Sequence, residues 1–166
     1  MTAWDVISNI PARAPIWVWP LLVWMLYEGV SCLRYRTVAI WVYWMLPLFA
    51  LMSVRGRLEA AAPEIDLPVY FAAYALGVAF GHWFQGHVLV ERTAAHVVVR
   101  GEALTLIMLM TIFWMNFARG VVEAISPDLL LDPLTIAALA AIGGIASGQF
   151  AGRALRVLRA PVRVEA

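Results

Sequence analysis

The stretch PLTIAALAAIGGIASGQFAG, at residues 133–152, decides the fold because it carries no charged residue and is long enough to cross a lipid bilayer. A transmembrane helix needs about 20 predominantly apolar residues to span the hydrocarbon core. Further apolar stretches of comparable length occupy residues 15–33, 38–54, 68–87 and 103–125. The sequence therefore predicts an all-α, polytopic membrane protein with a bundle of five transmembrane helices. We expect a single integral membrane domain over residues 1–166, ending in a basic tail at residues 153–166.

The overall composition agrees with a membrane protein. Hydrophobic residues make up 63% of the chain, charged residues 14%, and the mean hydropathy is +0.81. Soluble domains are roughly half apolar and roughly a quarter charged. No basic region precedes the first apolar stretch, and Arg34 and Arg36 follow it, so this stretch is typical of a retained helix and not of a cleaved signal peptide. The single cysteine, Cys32, excludes an intrachain disulfide and a cysteine-cluster metal site.

The arginines indicate an orientation for the chain. With the N-terminus outside and the C-terminus in the cytoplasm, eight arginines fall in cytoplasmic segments and three in outer segments. The cytoplasmic set is Arg34, Arg36, Arg92, Arg100, Arg153, Arg156, Arg159 and Arg163, and the outer set is Arg13, Arg55 and Arg57. Basic residues in short loops favour the cytoplasmic side. The sequence therefore predicts a multi-pass protein of a plasma membrane in this orientation.

Residues 88–101, VLVERTAAHVVVRG, lie between the third and fourth apolar stretches and have a different character. Two short segments rich in β-branched residues flank a turn, which predicts a short cytoplasmic β-hairpin. An isolated hairpin is marginal in water. We therefore expect it to lean on the membrane face or on a partner.

Small residues recur at intervals of four on two of the predicted helices. They are Ala140, Gly144, Gly148 and Gly152 on the fifth helix, and Ala73, Gly77 and Gly81 on the third. Such spacing forms a groove that lets a neighbouring backbone approach closely in lipid. Either the two grooves pack together within one protomer, or one of them is a self-association face.

A few polar residues lie inside the predicted spans, in the cytoplasmic half. They are Glu28, His82, Gln85 and Gln149. Polar groups in the bilayer are costly and mark functional candidates. Glu28 and His82 could form a buried carboxylate–imidazole pair that relays a proton or binds a ligand. The alternatives are a structural pair, or two residues that never meet.

Two further polar sets lie toward the membrane surfaces. Asn116, Arg119 and Glu123 share one face of the fourth predicted helix, where they predict either an interfacial i, i+4 ion pair or an anion- or substrate-binding stripe. The C-terminal arginines follow helical spacing at positions 153, 156, 159 and 163. We interpret them as a topology anchor that also contacts anionic lipid headgroups.

Catalytic and metal motifs do not rise above background in this sequence. His87 and His96 lie at or beyond the membrane edge, which disfavours bis-histidine haem, and no H-E-x-x-H spacing occurs. We therefore predict no catalytic residue, no metal and no cofactor. The expected partners are membrane lipids and either further copies of the chain or a larger membrane complex, and nothing indicates nucleic acid.

The order of several short segments resembles a known family. APIWVWPLL opens the first apolar stretch at residues 14–22, RYRTV follows at 34–38, and VVVRG precedes the fourth stretch at 97–101. Together with the glycine-rich fifth stretch, they resemble a family of small uncharacterised bacterial inner-membrane proteins, described as a domain of unknown function. The resemblance implies a bacterial inner membrane and a compact helical bundle, and it transfers no site residue.

The leading functional hypothesis is a non-enzymatic membrane module, either an accessory subunit or a bundle that binds lipids or a partner. The alternative is a small oligomeric transporter or proton-coupled permease that uses Glu28 and His82 on one side and Asn116 and Arg119 on the other. A membrane enzyme is disfavoured, because it would need a nucleophile or a metal cluster near the interface.

Overall fold

The computed structural model describes residues 15–45, 54, 57–58 and 62–162. The α-helices that lie wholly within these ranges are α1 (Val18–Ser31), α2 (Pro63–Val88), α3 (Leu104–Ile125) and α4 (Pro133–Arg159). The strands are β1 (Arg36–Ala39), β2 (Leu89–Arg92) and β3 (His96–Val99). A short 3-10 helix, Pro127–Leu131, joins α3 to α4.

Among the described residues, three helices are long and apolar enough to cross a membrane. These are α2, α3 and α4, with 26, 22 and 27 residues. The prediction of membrane-crossing helices is confirmed to that extent. Helix α1 has 14 residues, fewer than the about 20 that a span requires. The predicted second span, residues 38–54, begins in β1, is helical over residues 40–45, and otherwise lies mostly outside the described residues.

Two helix boundaries differ from the sequence prediction. Helix α2 begins at Pro63 and contains Pro68 in its interior, whereas the prediction placed the start at Pro68. Helix α4 continues to Arg159, beyond the predicted end at residue 152. The apolar stretch ends at residue 152, but the arginines, leucines and alanines that follow favour a helix strongly. The first half of the predicted basic tail, residues 153–159, therefore belongs to the last turns of α4.

The predicted hairpin is present and belongs to a three-stranded antiparallel sheet. Its order is β1-β3-β2. Strand β1 was not predicted, and it pairs along the free edge of β3, with Arg36 opposite Val99 and Ala39 opposite His96. In a hairpin alone, β3 would have one unpaired edge. Strand β1 pairs with that edge, so β3 has a partner on both sides.

The sheet packs against the C-terminal ends of α2 and α4. The shared apolar core there comprises Tyr43, Val88, Val97, Val99, Ala154 and Val157. The hairpin therefore packs against helices of its own chain. The prediction had instead expected it to pack against the membrane face or a partner. The sheet fixes this end of the bundle, where the polar residues described below converge.

Helices α2 and α4 lie parallel and touch through their backbones. A Cβ added to Gly144 would lie 2.5 Å from the carbonyl oxygen of Tyr70, and one added to Gly148 or Gly152 would collide with the carbonyl oxygens of Tyr74 and Val78. Successive glycines along α4 thus contact successive turns of α2 in the same order, which shows that the two helices run in the same direction. On α2, a Cβ at Gly77 would lie 2.5 Å from the Ile145 oxygen, and one at Gly81 would collide with the Gln149 oxygen; Ala140 is fully buried. The two predicted grooves face each other within one chain.

Helices α1 and α3 form a second, looser pair. Their shared cluster contains Val18, Met25 and Phe113, and Gly29 lies against Leu106. Phe113 is the only residue of α3 that is buried. Most of the α3 surface is therefore open to whatever surrounds the protein.

Candidate functional site

The buried Arg153 side chain organises the polar residues at the sheet-covered end of the bundle. It is 4% exposed. Its Nε donates to Oε1 of Gln85 at 2.7 Å, and its Nη1 donates to the Thr105 hydroxyl at 2.7 Å. Its Nη2 donates to Oε1 of Glu102 at 2.9 Å and completes an ion pair. One guanidinium thus joins α2, α3 and α4.

Glu102 is positioned by the start of α3 and by the end of α1. Its carboxylate accepts the backbone N–H of Thr105 at 2.9 Å and also the Thr105 hydroxyl, while its own N–H donates to the carbonyl of Cys32 at 2.8 Å. Burial acts to raise the pKa of Glu102, but the charge of Arg153 and the hydrogen bonds from Thr105 and Arg153 hold it below its usual value. The carboxylate is therefore ionised at neutral pH.

This arrangement corrects the prediction for Arg153, which was placed among the lipid-contacting arginines. Each of its three guanidinium nitrogens is used inside the protein, and its side chain is 5% exposed. A buried arginine paired in this way holds helices together and does not reach headgroups. Glu102 and Thr105 were not singled out from the sequence, because an acidic residue next to the N-terminus of a helix is common there.

A cleft of ≈ 690 Å³ opens beside this buried cluster. Three arginines and one carboxylate line it, namely Arg92, Arg156, Arg159 and Glu91, together with the chain from Ala160 to Val162. Arg156 and Arg159 are exposed and lie in the last turn of α4. The charged part of the lining is thus predominantly basic, and its two exposed guanidinium groups can bind an anion that enters the cleft from the surroundings.

Neighbouring residues shape the cleft around these cations. A Cβ added to Gly86 would lie 3.2 Å from Nη2 of Arg156, so the glycine leaves room for that guanidinium. Nη1 of Arg92 donates to the carbonyls of Leu158 and Ala160, both at 2.6 Å. Arg92 therefore caps the C-terminal end of α4, where free carbonyls carry partial negative charge. The sequence prediction counted Arg92 only as a cytoplasmic charge.

The structure does not join Glu28 to His82. Both side chains are half-buried, and no hydrogen bond or ion pair between these two described residues is present. The backbone carbonyl of Glu28 accepts the thiol of Cys32 at 3.1 Å. His82 lies against Gly152, where an added Cβ would be 2.8 Å from the backbone nitrogen of His82. Its Nδ1 is buried and has no hydrogen-bond partner in the part of the chain that the structure describes.

Gln85 and Gln149 are fully buried at the contact between α2 and α4. Gln85 uses its oxygen to accept from Arg153, while its Nε2 has no hydrogen-bond partner within the described ranges. Both polar atoms of the Gln149 side chain are without a partner among the described residues. The two glutamines are therefore incompletely hydrogen-bonded, although both lie in a well-packed interface.

The polar residues of α3 remain separate on an exposed surface. Asn116, Arg119 and Glu123 are all exposed, and the amide nitrogen of Asn116 donates to the carbonyl of Ile112 at 2.8 Å. No ion pair joins the described side chains of Arg119 and Glu123. The spacing is compatible with a pair, but both side chains extend away from the bundle.

A second ion pair among the described residues, which the sequence analysis missed, lies partly buried near the start of α2. Nη1 of Arg57 is 2.6 Å from Oδ1 of Asp66, and the guanidinium lies 4.2 Å from the centre of the Tyr70 ring. A Cβ at Gly143 would collide with this guanidinium. The one feature of the sequence that could have indicated this contact is Gly143, a glycine next to Gly144 that lies outside the series of small residues at intervals of four.

No group of three or more His, Cys, Asp or Glu residues within the described ranges could hold a metal ion. Of the predicted lipid-contacting arginines, Arg163 lies outside the described residues. Comparison of the whole chain with known proteins gives no matching family model, no matching curated protein and no matching solved structure.

Proposed function

We propose that this protein is a non-enzymatic helical bundle of the bacterial inner membrane that binds the headgroup of an anionic phospholipid. The proposed site is the cleft lined by Arg92, Arg156 and Arg159. The proposal includes five membrane crossings, with the N-terminus outside and the C-terminus in the cytoplasm. It also includes membership of the small inner-membrane family that the sequence resembles.

The observation that carries the proposal is the pairing of two exposed arginines with a cleft at the end of an apolar helix. Arg156 and Arg159 both line the cleft and lie in the last turn of α4. Guanidinium groups bind phosphate oxygens with paired hydrogen bonds. Each basic residue near an anionic membrane surface contributes about 1 kcal/mol to binding.

The surroundings of the cleft support its position at the level of the headgroups. Trp83, one turn before the end of α2, is 61% exposed, and its ring lies 4.7 Å from that of His87. Exposed tryptophans favour the membrane interface, where the ring is in lipid and the N–H is near water. The cleft begins at Gly86, adjacent to this level.

Native mass spectrometry of the protein in mixed nanodiscs tests the proposal. The discs contain phosphatidylglycerol and phosphatidylcholine, and the variant carries Arg156→Gln and Arg159→Gln. We expect the wild-type protein to retain phosphatidylglycerol selectively, and the variant to lose that selectivity. Equal retention by both proteins would refute the cleft as the site.

The matched control removes two arginines outside the cleft. Arg100 and Arg119 are both exposed and do not line it. The variant Arg100→Gln, Arg119→Gln therefore has the same change in net charge. We expect it to retain phosphatidylglycerol as the wild type does, which separates a specific site from general attraction to an anionic bilayer.

The transporter alternative has weaker support. It needs Glu28 and His82 to cooperate, but no hydrogen bond or ion pair joins these described residues. It also needs Asn116 and Arg119 to face a path through the protein, whereas both are exposed on α3. No observation favours it over lipid binding.

A further inference from the structure

The chain contains two glutamines, and both lie in the same interface. Gln85 on α2 and Gln149 on α4 are each 0% exposed. A glutamine side chain has a carbonyl oxygen and two N–H donors. Two such groups in the contact between two apolar helices are costly unless they are hydrogen-bonded.

Contacts along the interface place the two glutamines within about one helical turn of each other. The backbone of Gln149 lies directly against Gly81, which is one turn before Gln85 on α2. Arg153, one turn after Gln149 on α4, donates to the oxygen of Gln85. One turn of a helix rises about 5.4 Å, so the two glutamines lie on adjacent turns and together form one polar layer of the interface.

The unused hydrogen-bonding groups in this layer are both donors and acceptors. Oε1 and Nε2 of Gln149 and Nε2 of Gln85 are buried without a partner among the described residues. Helical carbonyl oxygens can accept a second hydrogen bond, as Ile112 does from the Asn116 side chain, but within the described part of the chain none is bonded to either glutamine Nε2. A ligand for this layer must therefore be small, and it must both donate and accept.

The charges nearby restrict that ligand further. Arg153 disfavours a cation, and its ion pair with Glu102, at 2.9 Å, leaves no net positive charge to attract an anion. A neutral molecule meets both conditions. Buried water typically makes about three hydrogen bonds to polar groups that would otherwise be unsatisfied.

We propose that Gln149 and Gln85 form an internal hydration site, in which resident water bridges the Gln149 amide to the Nε2 group of Gln85. Water accepts from the two Nε2 groups and donates to Oε1 of Gln149. The site lies in the layer beside the Arg153–Glu102 ion pair and is independent of lipid binding in the arginine cleft.

Solid-state NMR of the protein in lipid bilayers, with ¹⁵N in the glutamine side chains, tests this proposal. Since the chain has two glutamines, the spectrum contains two side-chain NH₂ signals. We expect magnetisation to transfer from water to the Gln149 amide, while the backbone amides of Gly148 and Gln149 stay protected from exchange. This combination identifies resident water inside a closed interface.

The signals are assigned with Gln149→Leu, which removes one of them. If that variant does not fold, Gln85→Leu provides the assignment by removing the other. No transfer from water to the Gln149 amide in an intact spectrum would overturn the proposal. It would also be overturned if the neighbouring backbone amides exchanged equally fast, because the interface would then open to bulk solvent.

Discussion

The α2–α4 pair and the α1–α3 pair are held together in different ways. In the first pair, glycines bring one backbone against the other, so an added methyl group meets a carbonyl oxygen. In the second pair, large side chains such as Met25 and Phe113 fill the contact. Backbone contacts cannot adapt to a change in shape, whereas side chains can change rotamer. Arg153 is the link between the two pairs, because it reaches α2, α3 and Glu102 from α4.

The largest effect is expected from breaking that link. Arg153→Leu leaves the buried carboxylate of Glu102 without its cation, and removing one partner of a buried ion pair costs about 3–5 kcal/mol. Unfolding of the variant in nanodiscs, followed by circular dichroism, measures the loss. Arg156→Leu, on the same helix but exposed, should change stability by no more than about 0.5 kcal/mol.

A double variant tests whether the unpaired charge of Glu102 causes this loss of stability. Replacing both partners, with Arg153→Leu and Glu102→Leu, removes the unpaired charge as well, and it should recover part of the stability. If the double variant is less stable than Arg153→Leu alone, the isolated charge of Glu102 is not the cause of the loss.

The next effect compares two glycines that differ in their surroundings. A Cβ at Gly148 would collide with the Tyr74 carbonyl, whereas one at Gly120 on α3 would meet nothing within 4 Å. We expect Gly148→Ala to destabilise the protein by about 1–3 kcal/mol, as overpacking does. Gly120→Ala should stabilise it by up to about 1 kcal/mol, because alanine favours a helix. Equal effects in thermal unfolding would contradict the proposed difference between the two helix pairs.

A smaller effect is expected when acid weakens the link. The pKa of Glu102 is lowered in the folded protein, because Arg153 and Thr105 outweigh the opposing effect of burial. The stabilisation is therefore complete above the unfolded pKa of about 4.3, and it is lost as pH falls through the lower folded pKa. The stability difference between wild type and Glu102→Gln should shrink in that range. A difference that stays constant from about pH 7 to about pH 3 would argue against the pair.

The smallest effect is expected in the α1–α3 contact. Phe113→Ala should cost clearly less than the about 3–5 kcal/mol typical of such a change in a soluble core. Neighbouring side chains and lipid can occupy the space, and lipid tails are as apolar as the phenylalanine. Chemical denaturation in nanodiscs measures the loss. A cost equal to that of Arg153→Leu would show that this contact is as rigid as the other.

The sequence predicted the small-residue faces of α2 and α4, though not which of two arrangements they form, because their signal is local. Gly144, Gly148 and Gly152 recur at a helical interval, and this period places them on one face whatever the rest of the chain does. The β2–β3 hairpin was predictable for the same reason, since both strands and their turn are contiguous. Membrane-crossing length followed from apolar composition.

The rest depended on contacts between distant parts of the chain. Strand β1 pairs with β3 far along the sequence. It contains the β-branched residues Thr37 and Val38, but four residues next to an apolar stretch are too few to predict a strand. Arg153 was predicted to face lipid, since an arginine after an apolar stretch usually does. Only the position of Glu102 and Gln85 in space turns it inward. Arg57 and Asp66 lack the spacing of a helical pair, so their contact had no local signal.

The parallel arrangement of α2 and α4 also constrains how the chain is assembled during synthesis. Two helices that lie parallel in one membrane need a return crossing between them, and α3 lies between them in the sequence. Gly77 and Gly81 of α2 therefore have no partner until the ribosome has delivered the C-terminal quarter of the protein. A chain arrested before α4 would present an open glycine groove to other nascent helices.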